Sequence, residues 1–284
     1  MTNDYGNLER HKVILSAMKD IDKICREYGL KYYMYAGTVL GSLNHGGFIP
    51  WDDDADIVMF KEDYDKFVKI VQEEYSDIYF MQTFDTDDEW FSKMAKLRLL
   101  GTRDFTNGDK EKRKEMFIDI NPLYNVPDNM IIRTIQRKSI EFINMLFAVM
   151  SGEIKCSSIK TRLALLPLSK LGRNFWGGIM DFCLNKLGNK DSKYVCLMCN
   201  TLTKSRWTGR SGYDSDVMVK EGYLNPTYLP FEDTEFMVSS MWHSDMVHLY
   251  GEGYREPYPE EKRKSKHDIV GYEISDEVRE RVGL

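Results

Sequence analysis

Apolar side chains recur at Leu8, Val13, Ile14, Ala17, Met18, Ile21, Ile24 and Cys25. That spacing puts them on one face of a helix. Gly29 ends it, because a residue without Cβ takes up the left-handed cap at no steric cost. Lys31 to Ala36, rich in tyrosine, predicts a strand that runs into a turn and short helix over Gly37–Ser42. Asn44–Gly47 predicts a loop, and residues 55–60 a strand. Residues 62–74 are again amphipathic, with Tyr64, Phe67, Val68 and Val71 on one face. Shorter strands are expected near 78–84, 92–99 and 115–120, with Pro122 and Pro127 closing the region. Alternating helices and strands predict an α/β or α+β core over residues 1–129.

The pattern changes after residue 129. Residues 130–200 read as a helical insertion with little strand character. Residues 130–190 carry ten Lys or Arg against three acids, a net charge of +7, while the rest of the chain carries -13. Such a block offers a surface for an anionic substrate or a peripheral membrane contact; the plainer reading is a solvated helical insertion. Residues 201–284 return to mixed structure, a C-terminal region expected to pack back on the core. The whole-chain charge of -6 argues against a dedicated nucleic-acid binder. Met1–Tyr5 has neither a basic n-region nor an apolar h-region, and the five scattered cysteines suit a reducing compartment. A cytoplasmic location is therefore expected, at the inner face of a membrane if the basic block meets lipid. Cys196-x-x-Cys199 could be half of a zinc site with Cys183, but no second pair completes it.

The chemistry concentrates in Trp51-Asp52-Asp53-Asp54-Ala55-Asp56, just before the apolar run Ile57–Phe60. Four carboxylates in five positions repel one another, and a divalent cation is the simplest remedy. On a strand Asp54 and Asp56 share a face and Asp53 points the other way; Asp52 joins the pair if the strand starts early. Three readings compete. A calcium loop fails because Ile57 stands where its turn needs glycine. The acids of a nucleotide-sugar glycosyltransferase would normally follow a longer nucleotide-binding unit. A nucleotidyltransferase-like fold needs a strand, a Gly-Thr turn opening a helix, Asp-x-Asp on a strand, and a third acid on a later strand. The chain supplies Tyr32–Ala36, Gly37-Thr38, Asp54/Asp56 and Asp119 in that order. Small residues at a helix start let backbone N–H groups approach a phosphate.

Gly37-Thr38-Val39-Leu40-Gly41, followed by His45-Gly46-Gly47-Phe48-Ile49-Pro50-Trp51-Asp52-Asp53-Asp54-Ala55-Asp56 and Asp63-Tyr64, closely resembles the signature of the LicD family. That family includes bacterial phosphocholine transferases and fukutin-related protein. Lys96-Leu97-Arg98, Phe117–Leu123 and the closing Pro259–His267 segment resemble further family blocks, whereas residues 130–200 are largely unmatched.

The resemblance implies an α/β (α+β) core with a mixed sheet flanked by helices, plus a helical insertion and a C-terminal extension. It implies transfer of a substituted phosphate, most often phosphocholine, from a CDP-activated donor to a hydroxyl of a glycan or glycolipid, with release of CMP. Asp54, Asp56 and Asp119 would hold Mg²⁺ or Mn²⁺, and Asp119 could instead take the proton of the attacking hydroxyl. Gly37, Thr38, Gly41, Asp52, Lys96, Arg98 and His267 would contact substrate. A glycosyltransferase, or a relative that binds nucleotide without catalysis, remains the alternative.

Overall fold

The computed structural model describes residues 5–106, 113–152, 165–198, 201–205, 207–265, 267 and 269–284. It shows a mixed sheet flanked by helices. Strand β1 (Tyr33–Met34) pairs antiparallel with β2 (Asp56–Phe60), and β2 runs parallel to β6 (Phe117–Val126). On its other side β6 meets β4 (Ala95–Leu99), which pairs with β3 (Tyr79–Gln82); both contacts are antiparallel. Ile57, Val58 and Met59 are all fully buried, so β2 is covered on both faces. That is why it reads as a continuous apolar run rather than an alternating one.

Helix α1 (Leu8–Tyr28) buries the predicted stripe and ends at Gly29 with φ 65°. Helix α2 (Ala36–His45) starts one residue before the expected glycine turn, and α3 (Lys61–Glu74) buries Tyr64, Phe67 and Val71. The first strand is two residues long because Tyr35 already serves as the extended cap of α2.

Strand β6 is longer than its sequence suggests. It runs through Pro122 to Val126, where the third strand was expected to stop at 120. The reason lies in its partners. Its first half pairs with β4 up to Ile120, and its second half pairs from Tyr124 with β7 (Tyr194–Cys196), which in turn pairs antiparallel with β8 (Val217–Val219). The Asp119 N–H faces β2, donating to the Ala55 carbonyl at 2.9 Å. Position 122, three residues on, would aim its N–H at the opposite edge, where β4 has ended and β7 has not begun. Proline costs the ladder nothing there.

Strand β7 also shows that the 130–200 stretch is not helical throughout. Its helices are α4 (Met130–Met150), capped by the Asn129 side chain, and α5 (Arg173–Lys186). They enclose a second hydrophobic cluster with Ile140, Phe147, Trp176 and Met180, closed by Tyr124 and Val126 of β6. Cys183 and Cys196 are buried within it as apolar side chains, and Cys199 lies outside the described residues. Among the described residues no cysteine belongs to a group that could hold a metal.

The C-terminal region returns to the core at two places. A hairpin of β9 (Thr227–Phe231) and β10 (Thr234–Val238) packs beside α2, and β11 (Ile269–Ile274) pairs antiparallel with β5 (Thr102–Thr106). Among the described residues, no helix is long and apolar enough to cross a membrane.

Candidate active site

Strand register brings the chemistry together. Asp56 of β2 is level with Asp119 of β6, Asp119 with Lys96 of β4, and Lys96 with Gln82 of β3. Asp54 precedes β2 and joins this row from the loop. Asp54, Asp56 and Asp119 each present a carboxylate oxygen within 4.8 Å of the others, a set that could hold a metal ion. Asp54 Oδ1 and Asp119 Oδ1 are buried and accept no hydrogen bond. Buried oxygens left without donors are costly unless a cation or ligand group meets them. Lys96 Nζ lies 3.9 Å from Asp119 Oδ1 and itself caps the Phe117 ring at 3.4 Å. Burial pushes the Asp119 carboxyl up to about 6; Lys96 opposes the shift and Asp54 adds to it.

Asp53 overturns the expectation that it points away to the outside. It is 1% exposed and bonded to two residues from the far end of the chain. His267 Nδ1 lies 2.9 Å from Asp53 Oδ1, and Ser265 donates to Asp53 Oδ2. Burial works against the Asp53 carboxylate, yet the His267 contacts and the Ser265 hydroxyl hold it at about 2. Burial likewise disfavours the His267 cation, but the Asp53 bond and the Asp54 and Asp53 charges raise it to about 8. The imidazole also stands edge-on to Phe117, with ring centroids 5.2 Å apart. His267 therefore reaches the acids through Asp53.

The backbone of the acidic loop is held from α1. Asn7 donates to the Pro50 and Asp52 carbonyls, His11 Nε2 lies 2.8 Å from the Asp52 carbonyl, and Arg10 donates to the Asp53 carbonyl. Arg10 is fully buried and forks onto the Asp104 carboxylate of β5. Sequence reasoning missed these residues. One signal existed: Arg10 precedes Ile14, Ala17 and Ile21 at the same helical spacing, so it sits in the apolar stripe.

Other expected residues take different positions from those the sequence suggested. The Thr38 N–H donates to the Tyr35 carbonyl at 3.0 Å, so it is not offered to a phosphate; Gly37 is buried beside it in the first turn of α2. Instead, Thr38 Oγ1 accepts the Asp56 N–H at 2.7 Å and fixes the start of β2. Gly41 lets two backbones approach closely: a Cβ there would meet the Gly47 carbonyl at 2.4 Å. Arg98 is no surface residue; it is 1% exposed, donating to Gln82 Oε1 at 2.9 Å and to the Glu115 carbonyl at 3.1 Å. Asp52 is 7% exposed and is gripped through its carbonyl.

Residues 29–147 match the family described as LicD/FKTN/FKRP, nucleotidyltransferase domain. The lipopolysaccharide cholinephosphotransferase LicD of Haemophilus influenzae is 26% identical over 270 residues, covering 93% of this chain and 97% of that protein. Two uncharacterized rickettsial proteins match shorter stretches. One from Rickettsia typhi is 41% identical over 54 residues, 19% of this chain and 18% of its own. One from Rickettsia prowazekii is 44% identical over 46 residues, 16% of this chain and 17% of its own. With its acidic row, its loop and its near full-length alignment to LicD, the chain is a member of the LicD family, whose domain model matches residues 29–147.

Proposed function

We propose that the protein transfers phosphocholine from a CDP-activated donor to a hydroxyl of a glycan or glycolipid, and that the reaction depends on Mg²⁺ or Mn²⁺. The observation that carries this reading is the convergence of Asp54, Asp56 and Asp119, two of them with buried oxygens that accept no hydrogen bond. The donor set is all carboxylate oxygen, which suits a hard divalent cation. Such an ion would supply charge neutralisation along a diphosphate.

The chain's own residues account for the remaining work. Phosphoryl transfer asks for positioning and charge compensation more than covalent chemistry. The attacking hydroxyl oxygen forms a bond to the phosphorus that bears choline, and the bond from that phosphorus to the CMP oxygen breaks. CMP leaves with the electron pair. If Asp54 and Asp56 hold the ion, Asp119 receives the hydroxyl proton as a carboxylate. Lys96 places a positive charge at the level of Asp119, where negative charge gathers. His267, held by Asp53, adds a donor at the same rim.

The test is CMP release from CDP-choline with and without Mg²⁺, run beside CDP-ethanolamine, CDP-glycerol and CDP-ribitol. Metal-dependent release with CDP-choline as the best donor supports the reading. Preference for another donor keeps the chemistry and replaces the transferred group. No release and no metal-dependent nucleotide binding by calorimetry would overturn it.

A further inference from the structure

The helical block carries apolar surface that nothing among the described residues covers. On α4, Ile131, Ile135 and Phe142 follow one another at i, i+4 and i+11, and they are 73%, 52% and 37% exposed. On α5, Phe175 and Phe182 lie two turns apart, 49% and 60% exposed. The two stripes join across Trp176, whose ring lies 5.8 Å from Phe142 and 5.2 Å from Phe175. Exposed aromatic and branched side chains grouped this way mark an interaction surface.

The charges around the patch identify its partner. Residues 130–150 and 165–190 hold seven Lys or Arg and two acids. Both acids are engaged, Glu141 with Arg137 and Lys138 and Asp181 with Lys93; of the bases, Arg137 also meets Asp214, Arg173 meets Asp88 and Lys190 meets Glu62, while Lys138 and Lys186 lie on the stripes themselves. Lys138 continues the α4 stripe and Lys186 the α5 stripe, each at helical spacing. A second copy of the chain would set this basic surface against itself. We infer that the outer faces of α4 and α5 form an interfacial docking surface for an anionic phospholipid bilayer. The phenylalanines and isoleucines enter the headgroup boundary, and the lysines meet lipid phosphates. A protein of net charge -6 is thereby drawn to an anionic membrane through one face only.

The experiment is flotation of the full chain with vesicles of phosphatidylcholine and phosphatidylglycerol, against vesicles of phosphatidylcholine alone. Binding is expected to the anionic vesicles and to weaken as salt is raised. Phe175→Ser/Phe182→Ser and Lys138→Glu/Lys186→Glu should each weaken it at least about tenfold. Melting followed by circular dichroism shows that each variant is folded. The inference is overturned if the wild type does not float with anionic vesicles. It is also overturned if both double variants float like the wild type, or if size exclusion shows a dimer that Phe175→Ser/Phe182→Ser dissociates.

Discussion

Asp56 and Asp119 are neighbours in register on adjacent parallel strands, although 62 residues separate them in the chain. That register sets two carboxylates side by side on a rigid support, and Asp54 reaches them from the loop. Charges placed so closely have measurable consequences.

Asp119→Asn should lower transfer at least about a hundredfold while the fold survives. In chelator at pH 8, the variant should be more stable than the wild type by about 1–3 kcal/mol, because it no longer buries a charge beside Asp54. Steady-state CMP release and urea unfolding check both parts. An active variant that ignores Mg²⁺ would sink the acidic row as the reaction centre.

Lys96→Met removes the cation facing Asp119. In chelator the protein should lose about 2 kcal/mol or more, since the carboxylates are left to repel one another. Mg²⁺ should then raise the melting temperature of the variant by more than it raises that of the wild type. Equal metal-induced shifts would show that Lys96 and the metal do not balance the same charge.

The Asp53–His267 pair predicts a pH dependence of stability, measured in chelator. The folded His267 value of about 8 exceeds the reference 6.5, so its contribution is complete below 6.5 and is lost as pH rises through 8. The folded Asp53 value of about 2 lies below 3.8, so its contribution holds above 3.8 and is lost as pH falls through 2. The pair stabilises most between 3.8 and 6.5. His267→Gln should flatten the decline between pH 6.5 and 8, and thermal melts across that range decide it.

Gly41→Ala should cost about 1–3 kcal/mol, because the new methyl meets backbone that leads into the acidic loop. Activity per folded molecule should also fall, because Gly47 to Ile49 would have to shift. Full activity in the folded fraction would separate Gly41 from the site altogether.

The legible parts of the chain were those where one element decides its own pattern. The α1 stripe, the buried run of β2 and the amphipathic face of α3 follow from periodicity alone. The acids Asp54, Asp56 and Asp119 were legible because their spacing is local or strand-borne. Asp53 was misread because alternation assumes a strand, and the strand begins only at Asp56. Its true partner, His267, lies 214 positions away, a distance no local pattern spans. Pro122 was misread as a stop because a proline's effect depends on which strand stands at its blank edge. Arg98 looked like a substrate cation because burial by β3 and the Glu115 backbone is a tertiary fact.

Strand β6 carries Asp119 near one end and the packing surface of the helical block near the other. It is in effect an axle running from the clustered carboxylates to α4 and α5. One continuous strand therefore sets the distance between those helices and the acids. A surface that captures the block would present the acidic end at a fixed reach, with no hinge needed to find its target.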